Sequence, residues 1–203
     1  MDTAVDLVQA YLRVNGYFTV TEYPIVEAVG GTPRRTLTDV DVLAFRFPGA
    51  GRRVKARRSA GGPVFAPDPA LGCPADRPDM LIGEVKEGPA RLNAPARDPE
   101  VLAATLARFG CCHPDHAPHV VRALIRDGEA PTHGGHTVRL VAFGSGARPG
   151  NRCRVVDLGH VIAYLADFLR EDWALLGQTE LKDPALGFLA LLEKARAARR
   201  EDP

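Results

Sequence analysis

At 203 residues and 45% hydrophobic content, the chain can build one well-buried core and is short for two full domains. Its 26 Lys and Arg stand against 25 Asp and Glu, a net charge of +1, which excludes a polyanion partner recruited by overall charge and leaves that task to a local patch. Four cysteines without framework spacing, no signal-peptide pattern and no apolar run long enough to span a bilayer predict a reducing, cytoplasmic setting with no membrane partner.

Residues 2–15, DTAVDLVQAYLRVN, put Val5, Val8, Tyr11 and Leu12 on one helical face, and Asn15-Gly16 supplies a stop. Residues 17–28 are β-branched and aromatic, and residues 38–47, TDVDVLAFRF, alternate before turning apolar; together they read as a hairpin. Residues 48–78 carry repeated Gly and Pro, the basic run RRVKARR and few apolar positions, which predicts an insertion or long loop. A third strand is expected over MLIGEVKE, residues 80–87. DPEVLAATLARFG then opens a helix with Asp98 as N-cap and Pro99 at its first position, presenting Leu102, Leu106 and Phe109 to a core. A short helix is expected over 116–127, a fourth strand over HTVRLVAFG at 136–144, and a brief fifth near Val155. Leu158, Val161, Ile162, Leu165, Phe168 and Leu169 form one amphipathic face, and Leu186, Leu189, Leu192 and Ala195 another, giving C-terminal helices over 158–199. The pattern predicts a single α/β domain over 1–203: a central mixed sheet of about four to five strands flanked by helices.

The third strand raises a chemical question. Glu84 and Lys86 fall on one face of an otherwise apolar strand, with Val85 on the other, and charges on a buried face need partners. In the hairpin, Asp39 and Asp41 share a face with Val40 and Val42 opposite, so a neighbouring strand can bring Asp41 beside Glu84. Two carboxylates from adjacent strands make a hard-oxygen site suited to Mg²⁺ or Mn²⁺, with water and substrate phosphate completing the shell. Such a metal polarises a scissile phosphate and activates water, while Lys86 orients that water or stabilises charge on the phosphorane.

A helix, a hairpin whose second strand carries Asp41, a third strand with Glu84-Val85-Lys86, then a helix and a strand, resemble the PD-(D/E)xK nuclease superfamily, with its restriction-endonuclease-like αβββαβ core. The resemblance spans roughly residues 2–170 as an order of elements, and its motif is Asp41, Glu84 and Lys86. It implies a metal-dependent nuclease acting on DNA in preference to RNA, with Asp41 and Glu84 as metal ligands and Lys86 assisting the attack. Pro78-Asp79 spells the family's letters, but Asp79 is five residues before Glu84 and therefore on the opposite face. Asp6, Asp39 and Glu22 are accessory carboxylate candidates, and a homodimer is compatible with this reading.

Arg34, Arg35, Arg52, Arg53, Lys55, Arg57 and Arg58 are candidates for tracking phosphates; the run at 52–58 has Asp68 and Asp76 as its nearby carboxylates, and its other reading is a solvated surface loop. Cys111, Cys112, His113, His116 and His119 are zinc-ligand types, but their spacing fits no standard finger and zinc is not expected. FGSGARPG, residues 143–150, lacks a Walker lysine and reads as a strand-terminating turn. Trp173 and Phe168 read as core or interface positions. Two rival functions stand beside the nuclease: an inert member of the same fold that binds nucleic acid or protein, and a small-molecule or structural interaction protein in which Glu84 and Lys86 merely pair.

Overall fold

The computed structural model describes residues 2–27, 35–54, 64–146 and 152–201. Helix α1 (Thr3–Val14) starts where the Asp2 carboxylate accepts from the Ala4 N–H and stops at Asn15, with Gly16 taking a positive φ of 84° that a side chain would strain. Strands β1 (Phe18–Glu27) and β2 (Arg35–Arg46) pair antiparallel as expected. A small hairpin of β3 (Arg52–Val54) and β4 (Val64–Ala66) follows, then a 3-10 turn at Pro69–Leu71. Strand β5 (Asp79–Val85) pairs antiparallel with β2 and parallel with β7 (Thr137–Gly144). Between them run α2 (Pro99–Arg108), α3 (Ala117–Asp127) and the short β6 (Glu129–Pro131). The far side of β7 is shared: β6 pairs antiparallel with Thr137–Arg139, and β8 (Arg154–Asp157) pairs parallel with Val141–Gly144. Helices α4 (Leu158–Glu171), α5 (Trp173–Leu176) and α6 (Pro184–Glu201) close the described chain. None of the described helices is long and apolar enough to cross a membrane.

The result is an α/β fold built on a six-stranded mixed sheet of order β1-β2-β5-β7-β6, with β8 beside β7. Val42, Ala44, Leu81, Val85, Val141 and Phe143 pack against α1 and α4 on one face. Leu43, Met80, Ile82, Val138, Leu140 and Ala142 meet α2 and α3 on the other. Period-two alternation feeds both layers from the same three strands, which is why those strands read as nearly continuous apolar runs.

Two expectations change. The sheet holds six strands rather than four to five, because β6 is a three-residue Glu-Ala-Pro segment without a strand signature. The segment at 48–78, expected to be an insertion or long loop, is packed rather than loose at several of its described residues. Leu71 is fully buried, and the Asp68 carboxylate accepts from the Tyr11 hydroxyl at 2.9 Å and lies 2.6 Å from His160 Nε2. Asn15 Oδ1 also accepts the Asp68 N–H at 2.6 Å, so one buried acid ties the insertion to α1 and α4.

Candidate metal centre

The β2–β5 ladder runs from Arg46 opposite Asp79 to Val42 opposite Gly83, whereas β5 stays paired with β7 as far as Val85 opposite Phe143. Asp41 and Glu84 are thus the next residues where β2 and β5 part. Asp41 Oδ2 accepts the Val85 N–H at 2.8 Å, so the carboxylate satisfies a strand donor that the ladder leaves over.

A backbone irregularity aims Asp41. Val40 packs in the α2/α3 layer, Val42 in the α1/α4 layer, and Leu43 again in the α2/α3 layer. Val40 and Val42 therefore do not share a face, as simple alternation predicted; the strand turns over at Asp41. Across the ladder, Thr21 pairs with Val42 and Tyr23 with Val40, which leaves Glu22 opposite Asp41. Glu22 has φ +50°, and it is the one non-glycine among the described residues with a positive φ. Such a conformation costs about 1–3 kcal/mol and persists only where surrounding structure imposes it. Glu22 is exposed and thus marks the turnover beside the site.

Glu84 is 4% exposed, on the α2/α3 face of β5. Its Oε1 takes two donors: Lys86 Nζ at 2.5 Å and Asn93 Nδ2 at 2.6 Å. Burial raises the Glu84 carboxyl above its ordinary range; the Lys86 hydrogen bond opposes this, and the nearby Asp41 charge adds to it. The Lys86 side chain keeps 35% of its surface exposed, so its ammonium can turn toward solvent. Among the described residues the hydrogen bonds fall on Asp41 Oδ2 and Glu84 Oε1, so Asp41 Oδ1 and Glu84 Oε2 are the oxygens that could serve a hard cation. Also among the described residues, no three His, Cys, Asp or Glu side chains form a metal-binding group, so water and substrate oxygens would have to complete the shell.

Of the other carboxylates, Asp39 shares the cleft of Glu84, whereas Asp79 and Asp6 belong to the other side of the sheet. Asp79 lies on the α1/α4 face, where Arg139 Nε and Nη2 donate to its two oxygens at 2.8 and 2.6 Å and the Tyr17 hydroxyl donates at 2.6 Å. Its role is to neutralise a buried arginine, and burial keeps the Tyr17 phenol protonated as a donor. Asp39 is exposed and lines the narrow cleft that also holds Glu84 and Asn93. Asp6 stands on α1, whose apolar side packs on the opposite face of the sheet, and makes no hydrogen bond or ion pair with Asp41 or Glu84.

Arg52 departs from expectation. Its side chain is 9% exposed, ion-paired with Glu171 and set over the rings of Tyr164 and Phe168 at 5.2 and 5.5 Å. The carboxylate it finds comes from α4, far along the chain, and not from Asp68 or Asp76. Arg53 is exposed. Arg34, Lys55, Arg57 and Arg58 lie outside the described residues, and Arg35 opens β2. Cys111 is buried with its Sγ 2.8 Å from Met80 Sδ, and burial pushes its thiol up to about 12, while His116 stacks on His133 at 3.8 Å.

Sequence reasoning did not find Asn93. It lies in the turn-rich segment after β5, where an Asn is most often a turn former, and nothing in its spacing points back to Glu84. Arg139 had a legible signal, a charge within the apolar run of β7, of the same kind that singled out Glu84. In comparisons with protein-family models, curated proteins and solved structures, nothing matches the chain.

Proposed function

We propose that the protein is a divalent-metal-dependent nuclease that hydrolyses phosphodiester bonds of DNA, built on a restriction-endonuclease-like core. The observation that carries this reading is the meeting of Asp41 and Glu84 where β2 and β5 part, with one oxygen of each carboxylate open and the Lys86 ammonium against Glu84. Asp41 and Glu84 would hold Mg²⁺ or Mn²⁺, which supplies Lewis-acid activation of the phosphate and of the attacking water. Asp41 is fixed by the Val85 N–H and Glu84 by Asn93, so neither carboxylate has to reorganise as charge develops. Lys86 neutralises Glu84 at rest and turns its ammonium to the phosphate oxygens as negative charge builds there.

The near-complete burial of Glu84 and its direct pairing with Lys86 favour a second reading, an inert member of the same fold that binds nucleic acid or protein. Incubation with plasmid, linear and single-stranded DNA in Mg²⁺, Mn²⁺ or EDTA separates the two. Metal-dependent cleavage that disappears in Asp41→Asn and Glu84→Gln is the expected result, and Lys86→Ala should lower kcat by about 100-fold with a smaller loss of metal affinity. DNA retention without cleavage in any metal would establish the inert reading.

A further inference from the structure

We infer that Asn93 is a positioning residue of this site: its carboxamide fixes the Glu84 carboxylate so that one oxygen takes the protein's donors and the other faces the cation. The inference rests on the metal-dependent reading above and adds to it a residue that acts through Glu84.

The terminal torsion of a glutamate is broad, so a buried carboxylate is oriented by its hydrogen bonds rather than by its rotamer. Lys86 is a poor orienter. Its ammonium sits on a flexible four-carbon stem that stays one-third exposed, and the proposed reaction requires it to leave Glu84 for the substrate. Asn93 has the opposite properties. Its carboxamide is planar and half-buried, and its Oδ1 accepts the Ala96 N–H at 2.7 Å at the 3-10 turn Pro95–Arg97. That bond also settles which way the amide points. An N–H needs an acceptor, so Oδ1 faces Ala96 and Nδ2 must face Glu84, donating to Oε1 at 2.6 Å.

For the metal this has two consequences. A donor cannot share an oxygen lone pair with a cation, so crowding both donors onto Oε1 directs the cation to Oε2, the oxygen without a partner among the described residues. When Lys86 turns to the phosphate, Asn93 remains on Oε1, and the buried carboxylate is not stripped of its last protein donor during the reaction.

The test is Mn²⁺ binding by the DNA-free protein, measured by calorimetry on wild type, Asn93→Ala and Asn93→Gln, with thermal melts to establish folding. Asn93→Ala should weaken Mn²⁺ affinity about ten-fold or more, the usual cost of losing a group that orients a metal ligand, and Asn93→Gln should restore part of it. Unchanged affinity in a folded Asn93→Ala protein overturns the inference while the metal site itself survives. Tighter binding overturns it as well, since Asn93 would then lock Glu84 away from metal. A wild-type protein that binds no Mn²⁺ removes the inference together with the nuclease reading, so the two failures are distinguishable. If Asn93→Ala does not fold, the Asn93 side-chain amide signal of wild type decides: it should shift on Mg²⁺ titration and stay fixed in Glu84→Gln, and an unmoved wild-type signal overturns the inference.

Discussion

Glu84 carries a carboxyl whose charge its surroundings oppose. Burial disfavours its charge and the Asp41 carboxylate adds repulsion, against the opposing pull of Lys86, and the net result is a carboxyl raised above its ordinary value. For an acid raised on folding, the native state holds its proton to higher pH than the unfolded chain does. Between the two values the native state binds more protons, and stability falls as pH rises. The penalty is therefore absent below the ordinary carboxylate range and fully present above the raised value. Glu84→Gln keeps an acceptor for Asn93 and removes the charge, so it should match wild type near pH 4 and become progressively more stable than wild type toward neutrality. Urea midpoints of both proteins across that range test this; a constant difference would show that Glu84 is not strained by its charge. Activity should move the other way, because the carboxylate that weakens the fold is the proposed metal ligand.

At the scale of elements, what could be read in advance was what period and capping determine. The Asp98 cap and Pro99 set the start of α2, the apolar stripe from Leu158 set α4, and alternation put Glu84 and Asp79 on opposite faces of β5. The turnover at Asp41 was illegible, because it depends on Glu22 adopting a left-handed conformation that no glycine announces. The buried packing of the insertion was equally hidden: Leu71 and Asp68 look like loop residues until Arg139, Tyr11 and His160 arrive from distant elements. Arg139 is the clearest such link, joining Asp79 on β5 to the Leu71 carbonyl through Nη1 at 2.7 Å. Breaking it leaves Asp79 fully buried without its cationic partner and with the Tyr17 hydroxyl as its remaining side-chain donor among the described residues. Arg139→Leu should thus cost about 3–5 kcal/mol in chemical denaturation, and adding Asp79→Leu should recover part of the loss. A double variant as unstable as the sum of the singles would show that the pair is not the coupling unit.

For the molecule as a whole, the remaining question is how a chain of net charge +1 would hold a polyanion. The basic run at 52–58 is the densest concentration, five cations in seven residues, yet it is not uniform. Arg52 is committed to Glu171, Tyr164 and Phe168 and anchors the β3–β4 hairpin to α4, whereas Arg53 is exposed. An anchor and a phosphate-binding cation leave different thermodynamic signatures. Arg52→Gln should lower stability by roughly 1–2 kcal/mol, because the guanidinium no longer sits over the two rings or pairs with Glu171, and leave the salt dependence of DNA binding unchanged. Replacing Arg53, Lys55, Arg57 and Arg58 by Gln should do the reverse. The melting temperature should hold, affinity should fall similarly for all sequences, and the slope of log K against log salt should flatten by about 0.9 for each phosphate that is no longer neutralised. Mn²⁺ binding at Asp41 and Glu84 should survive both changes, because neither touches a proposed ligand. If the fourfold variant keeps its affinity and its slope, the run is a solvated surface and DNA is gripped elsewhere. If Arg52→Gln alone flattens the slope, the Glu171 pair opens on binding and the hairpin moves with it.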